Sequence, residues 1–195
     1  MKMLTVEIPD NNVKERSYIC SFLMKLVGVE VVVKVVKEQK DYEIILSNGK
    51  KITVKDGFFN AFPQDLSYLS IANVPSKGGV LHSFDMDIHY IFGDNTISIE
   101  EDNVVIGADI FASAFYTLTR WEEFLKGRES TGDCDENNLF IVQNGFYKHP
   151  IVNEYECLLR KSMLFLGETV KEDKKVFGVR YTLDVDNIQQ VTWGG

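Results

Sequence analysis

The chain has 195 residues, 45% of them hydrophobic, with 21 basic and 29 acidic side chains and a net charge of −8. That length supplies one large domain, or a medium domain plus a fragment. The acidic balance argues against a nucleic-acid partner, which needs a positive surface, and no apolar run approaches the roughly 18 residues that span a bilayer.

In chain order, "MLTVEIP" reads as a strand, and Asn11 or Asn12 can cap the helix that follows. Ile19, Phe22, Leu23, Leu26 and Val27 recur at helical spacing, and Gly28 supplies a left-handed cap. "VEVVVKVV" is too densely β-branched for a helix and predicts a strand. "YEIILSNGKKITV" predicts a two-residue hairpin turning at Asn48-Gly49. A second strand pair, "NTISIEEDNVVIGA", turns around Asp102-Asn103. Residues 109–126 form one helix capped by Asp109, with Ile110, Phe111, Ala114, Leu118, Trp121 and Leu125 on one face and Gly127 as its stop. "GRESTGDCDEN" is a polar loop. Pro150 opens a helix that presents Tyr155, Leu158, Leu159 and Leu166 on one side and closes at Gly167. A charged connector at 170–175 leads to a last strand, "VFGVRYTLDVDN".

This order lacks the strict strand-helix alternation of a doubly wound sheet. It predicts an α/β (α+β) fold with a mixed, largely antiparallel sheet and flanking helices, and a boundary before Val176. Cys20, Cys134 and Cys157 are odd in number and widely spaced, without Cys-x-x-Cys, as in a reducing compartment. "MKMLTVEIPDNN" has no apolar core of signal-peptide length, so the expected location is cytoplasmic. Gly-rich nucleotide-binding spacings are absent, and Ser113 and Cys157 have no evident base beside them.

Two constellations could carry chemistry. On a strand, Asp184 and Asp186 share a face, with Leu183 and Val185 on the other. Two such carboxylates suit a divalent metal, or one ligand and one general base; equally, Asp186-Asn187 could simply end the strand. "HSFDMDIH" would place Asp85, Asp87 and His89 on one strand face, a second possible metal set or an ordinary solvated edge. Phe58, Phe59, Phe62 and Tyr68 could stack a sugar, although a core cluster explains them more simply. On "TRWEEFL", Arg120 with Glu123 and Glu122 with Lys126 have the spacing of helix-surface ion pairs.

"YTLDVDN" resembles the first motif of the polysaccharide deacetylase superfamily. Thr119-Arg120-Trp121-Glu122-Glu123-Phe124 and Pro150-Ile151-Val152-Asn153-Glu154-Tyr155 resemble two helices of an amino-terminal domain that precedes such deacetylase-like domains in bacterial proteins. The resemblance implies that residues 1–175 are that amino-terminal domain. Residues 176–195 would then begin an incomplete (β/α) barrel, with Asp184 as catalytic base and Asp186 as ligand to a divalent metal, zinc or similar. The complete protein would hydrolyse a carbohydrate C–N bond. His82, His89 and His149 do not form the family's His-x-x-x-His motif, so this chain alone is expected to be inactive and to hold metal only weakly. The other expectation is a non-catalytic module that positions substrate or mediates assembly.

Overall fold

The computed structural model describes residues 3–129, 136–170 and 178–182. The chain runs through β1 (Leu4–Ile8), α1 (Val13–Val27), β2 (Val31–Val35), β3 (Tyr42–Ile45), β4 (Lys51–Val54), β5 (Gly79–Ser83), β6 (Met86–Tyr90), β7 (Gly93–Ile99) and β8 (Asn103–Ala108). It then continues through α2 (Ile110–Leu118), α3 (Trp121–Glu129), α4 (Phe140–Gln143) and α5 (Ile151–Phe165).

Alternation in β1 buries Leu4, Val6 and Ile8 and leaves Thr5 and Glu7 half-exposed. The strand sits within a six-stranded mixed sheet of order β2-β1-β3-β4-β8-β7. β1–β2 and β4–β8 are parallel; the other three pairings are antiparallel. Register aligns Val6, Ile44, Ile52 and Val104 in one row across four strands, all fully buried. Over this face α1, α2 and α5 pack against one another. Truncating a row member such as Ile44 to alanine would cost about 2–5 kcal/mol, the usual range for an emptied core site. The opposite face carries ion pairs, Lys34–Glu7 at 2.8 Å and Lys51–Glu43 at 3.0 Å. The fold is therefore mixed α/β, with a small separate antiparallel sheet of β5 and β6.

Local chemistry explains several departures from the sequence reading. Asn12 does precede α1, but at φ 48 its side chain caps no helix amide. Its Nδ2 donates to the Phe62 carbonyl at 2.8 Å, and its backbone N–H donates to Asp65 Oδ1 at 3.0 Å. Asn11 Nδ2 reaches the Phe59 carbonyl at 2.7 Å, so the two asparagines fasten the long loop after β4. Phe22 is substantially exposed instead of joining the core stripe. The β3–β4 turn has three residues, not two: Leu46 N–H donates to the Lys50 carbonyl, and only Gly49 takes a positive φ.

The single helix predicted over 109–126 is two helices. Thr117 and Thr119 hydroxyls bond back to the Ser113 and Phe115 carbonyls, and Arg120 turns left-handed at φ 50. α3 then restarts at Trp121 and runs past Gly127. The break drops Trp121 between Phe58, Tyr68 and Tyr116, with ring centroids 5.1–5.8 Å away. Gly178–Thr182, part of the expected last strand, are exposed and carry no strand. A β-branched run closes its backbone hydrogen bonds only against a neighbouring strand, and these residues join neither sheet. The rest of that expected strand, with the barrel start it would open, lies outside the described residues.

Candidate functional site

The segment "HSFDMDIH" folds back on itself. Phe84 and Asp85 take φ 49 and 58, the left-handed pair of a two-residue type I′ turn. Ser83 therefore opposes Met86, and His82 opposes Asp87. Asp85 sits in the turn. Asp87 turns to His82 Nδ1 on an exposed edge. His89 alone reaches the interior, so these three residues do not form one metal-binding face. The hairpin tip is held from α5: Lys161 Nζ donates to the Phe84 carbonyl at 2.7 Å, and Phe165 packs beside the Phe84 ring.

Two consecutive residues of α5 grip His89. Its backbone N–H donates to Glu154 Oε2 at 2.8 Å, and its carbonyl accepts from the Tyr155 hydroxyl at 2.7 Å. Burial pushes the Tyr155 phenol well above its ordinary pKa. The His89 ring brings Nδ1 to 3.1 Å from the same Glu154 oxygen. Pro150 restricts the residue before it to extended backbone, and His149 accordingly sits at φ −119, ψ 133. That conformation lays the His149 ring on His89, centroids 3.7 Å apart, with His149 Nδ1 at 3.9 Å from Glu154 Oε1. Phe146 meets the His89 ring edge-on at 5.6 Å. One donor atom from each of His89, His149 and Glu154 lies within 4.8 Å of the others. Glu154 stands in the first turn of α5, where the helix dipole favours its negative charge.

Glu122 is a second carboxylate committed to backbone. It accepts from the Phe140 N–H at 2.8 Å, capping α4 from outside, and also from the Tyr116 hydroxyl and Lys126 Nζ. Arg120, by contrast, is exposed and pairs with Glu123. Phe58, Phe59 and Tyr68 are buried in the aromatic core. Beside them Tyr68, Leu69, Phe115, Thr119, Trp121 and Phe124 line an open groove of about 230 Å³. The buried Trp121 Nε1 has no hydrogen-bond partner among the described residues. Ser113 Oγ accepts from the Ile91 and Phe92 amides, which makes it a structural hydroxyl. Burial raises the Cys20 thiol, leaving it unreactive.

A family model described as Family of unknown function (DUF7033) matches residues 4–167. The chain belongs to this family. The DUF7033 span begins with the first residue of β1 and ends just past α5, taking in the whole mixed sheet and the His89–His149–Glu154 cluster. No curated protein and no solved structure matches the chain. Both helical segments singled out in the sequence, Thr119–Phe124 and Pro150–Tyr155, fall within the DUF7033 span. Asp184 and Asp186 come after it and lie outside the described residues.

Sequence reasoning did not connect His89 with Glu154 or His149. The contact joins positions 65 residues apart, and no periodicity encodes it. The available signal was local: a histidine directly before Pro150, with Glu154 in the helix turn that this proline starts.

Proposed function

We propose that this chain is the amino-terminal portion of a cytoplasmic, polysaccharide deacetylase-like hydrolase, inactive alone, whose residues 4–167 form a non-catalytic module. The observation that carries this reading is the position of Thr182-x-Asp184-x-Asp186 beyond the family span, which ends at residue 167. The glutamates of the two helical segments give further support. Glu122 and Glu154 bind remote backbone amides, the task of residues that build a domain. In the complete protein Asp184 serves as base and Asp186 as one metal ligand for hydrolysis of a carbohydrate C–N bond. The donors that this sequence offers at that place do not suffice for a metal. Asp186 lacks the two imidazoles of a His-x-x-x-His motif, and carboxylates alone are a poor zinc site.

Acetate release from N-acetylated chito-oligosaccharides tests the proposal, using the complete gene product with zinc or cobalt. Activity lost in both Asp184→Asn and Asp186→Asn is the expected result. Variants that retain activity, or a wild-type protein inert toward every N-acetylated sugar offered, would sink it.

A second reading, in which the module positions the carbohydrate, draws on the groove between Tyr68, Trp121 and Phe124. Aromatic faces stack on sugar rings, and Phe124, half-exposed at the rim, offers one. Saturable quenching of tryptophan fluorescence by chito-oligosaccharide, weakened in Phe124→Ala, is expected. Quenching that is absent, or indifferent to Phe124, refutes it.

A further inference from the structure

We propose that His89, His149 and Glu154 bind one divalent transition-metal ion, independently of Asp184 and Asp186. The donor set is chemically selective. Two imidazoles and one carboxylate suit zinc, cobalt or nickel, whereas magnesium and calcium prefer all-oxygen shells. One pair of donors already stands at ligand spacing. Ligands about 2.0–2.1 Å from zinc in a tetrahedron stand roughly 3.3 Å apart. His89 Nδ1 and Glu154 Oε2 are already 3.1 Å apart, and His149 Nδ1 stands 3.9 Å from Glu154 Oε1. The two rings are stacked, with their lone pairs side by side, so an ion requires His149 to swing off the His89 ring; His149 is the most exposed of the three, at 41% against 14% for His89 and 15% for Glu154.

The supporting shell is in place before any ion arrives. The Tyr155 hydroxyl holds the His89 carbonyl, the His89 amide holds Glu154, and Phe146 fixes the face of the His89 ring. Such outer contacts orient ligands and raise affinity. Two of the three donors are thus preorganised on rigid elements, β6 and the first turn of α5, and the third closes from the segment before Pro150. Three protein ligands with His149 at the surface leave a further position reachable from solvent, the arrangement of an open site. This departs from the expectation, drawn from Asp184 and Asp186, that the chain holds metal only weakly.

Titration of the chain with cobalt(II), followed by its visible absorption and by zinc competition, tests the site. Expected is one ion per chain with micromolar or tighter zinc affinity, no response to magnesium, and an affinity unchanged in the Asp184→Asn/Asp186→Asn variant. His149→Ala should weaken binding at least tenfold while its metal-free melting temperature stays at the wild-type value. Because any variant could be compromised in folding, the wild-type protein supplies a second readout. Zinc should shift the ring nitrogen resonances of His89 and His149 and leave those of His82 in place. Millimolar zinc affinity, wild-type affinity in His149→Ala, loss of binding in the double aspartate variant, or shifts confined to His82 would each overturn the proposal.

Discussion

Arg16 of α1 and Asp56 of the loop after β4 meet at 2.5 Å with neither side chain reaching solvent. The guanidinium also donates to the Asn11 carbonyl and Oδ1, and lies over the rings of Tyr42 and Phe59 at 5.0 and 5.1 Å. Asp56 Oδ1 accepts from the Phe58 N–H at 2.9 Å. The pair thus ties the first helix to the loop that seats the aromatic core. Removing one partner strands a buried charge. Asp56→Leu and Arg16→Met should each cost about 3–5 kcal/mol, whereas the combined Arg16→Met/Asp56→Leu exchange should recover much of the loss. Urea unfolding of the double-mutant cycle measures this; additive losses would contradict it.

Asp109 lies close to that pair and is fully buried. Desolvation, then the nearby Asp56 charge, push its carboxyl up to about 8, against the opposing pull of Arg16 and of the Ala112 and Gly57 amides that it accepts from. Its folded value exceeds the unfolded one, so between about pH 4 and pH 8 the native state retains a proton that the unfolded chain has released. The stability this group contributes is full below about pH 4, declines through the window and is gone above about pH 8. Over pH 5 to 7.5, the stability difference between wild type and Asp109→Asn should shrink by about 1–3 kcal/mol. Unfolding titrations at stepped pH check this, and a constant difference would refute the assignment.

The parts of the fold legible in the sequence are those set by one or two residues of local chemistry. Gly28 and Gly167 close their helices at positive φ, and Asp109 accepts the Ala112 amide as its N-cap position demands. Asn48-Gly49 marks a hairpin even though the turn is one residue longer than predicted. What the sequence hid depends on distance or on tolerated strain. The apolar spacing of Phe111, Ala114, Trp121 and Leu125 continues through the break between α2 and α3, because both helices feed the same core, although Leu118, which shares the spacing, is exposed. Phe84-Asp85 is no turn dipeptide, yet its left-handed pair is held by Lys161 from α5. The His89–Glu154 contact is a product of tertiary packing alone. Asp184 and Asp186 were conspicuous as a motif, and their placement lies outside the described residues.

Glu122 organises a remote segment. Its buried carboxylate receives the Phe140 amide, the Tyr116 hydroxyl at 2.8 Å and, from a partly exposed side chain, Lys126 Nζ at 2.7 Å. Hydrogen bonds to a charged acceptor contribute about 1.5–3 kcal/mol. Glu122→Gln keeps one carbonyl oxygen and loses the charge, so a loss of about that size is expected. The effect should be uneven: amides of Phe140–Lys148 should exchange first, ahead of the β1–β3–β4 ladder. Hydrogen exchange resolved by residue checks both claims, and a uniform acceleration across the sheet would show Glu122 to act globally instead.

Arg120 offers the opposite case, a site where the native residue opposes its own backbone. It turns left-handed between α2 and α3 at φ 50, and its exposed guanidinium makes a surface pair with Glu123 at 3.1 Å. Left-handed geometry costs a non-glycine residue about 1–2 kcal/mol. The surface pair returns at most about 1 kcal/mol, and glycine adds about 0.5–1 kcal/mol of unfolded-chain entropy. Arg120→Gly should therefore be close to neutral, within about 1 kcal/mol. Arg120→Ala, which loses the pair and keeps the strain, should be the less stable of the two. Thermal melts of both variants decide the point. Alanine equalling or exceeding glycine would mean that the junction between α2 and α3 does not require the left-handed turn.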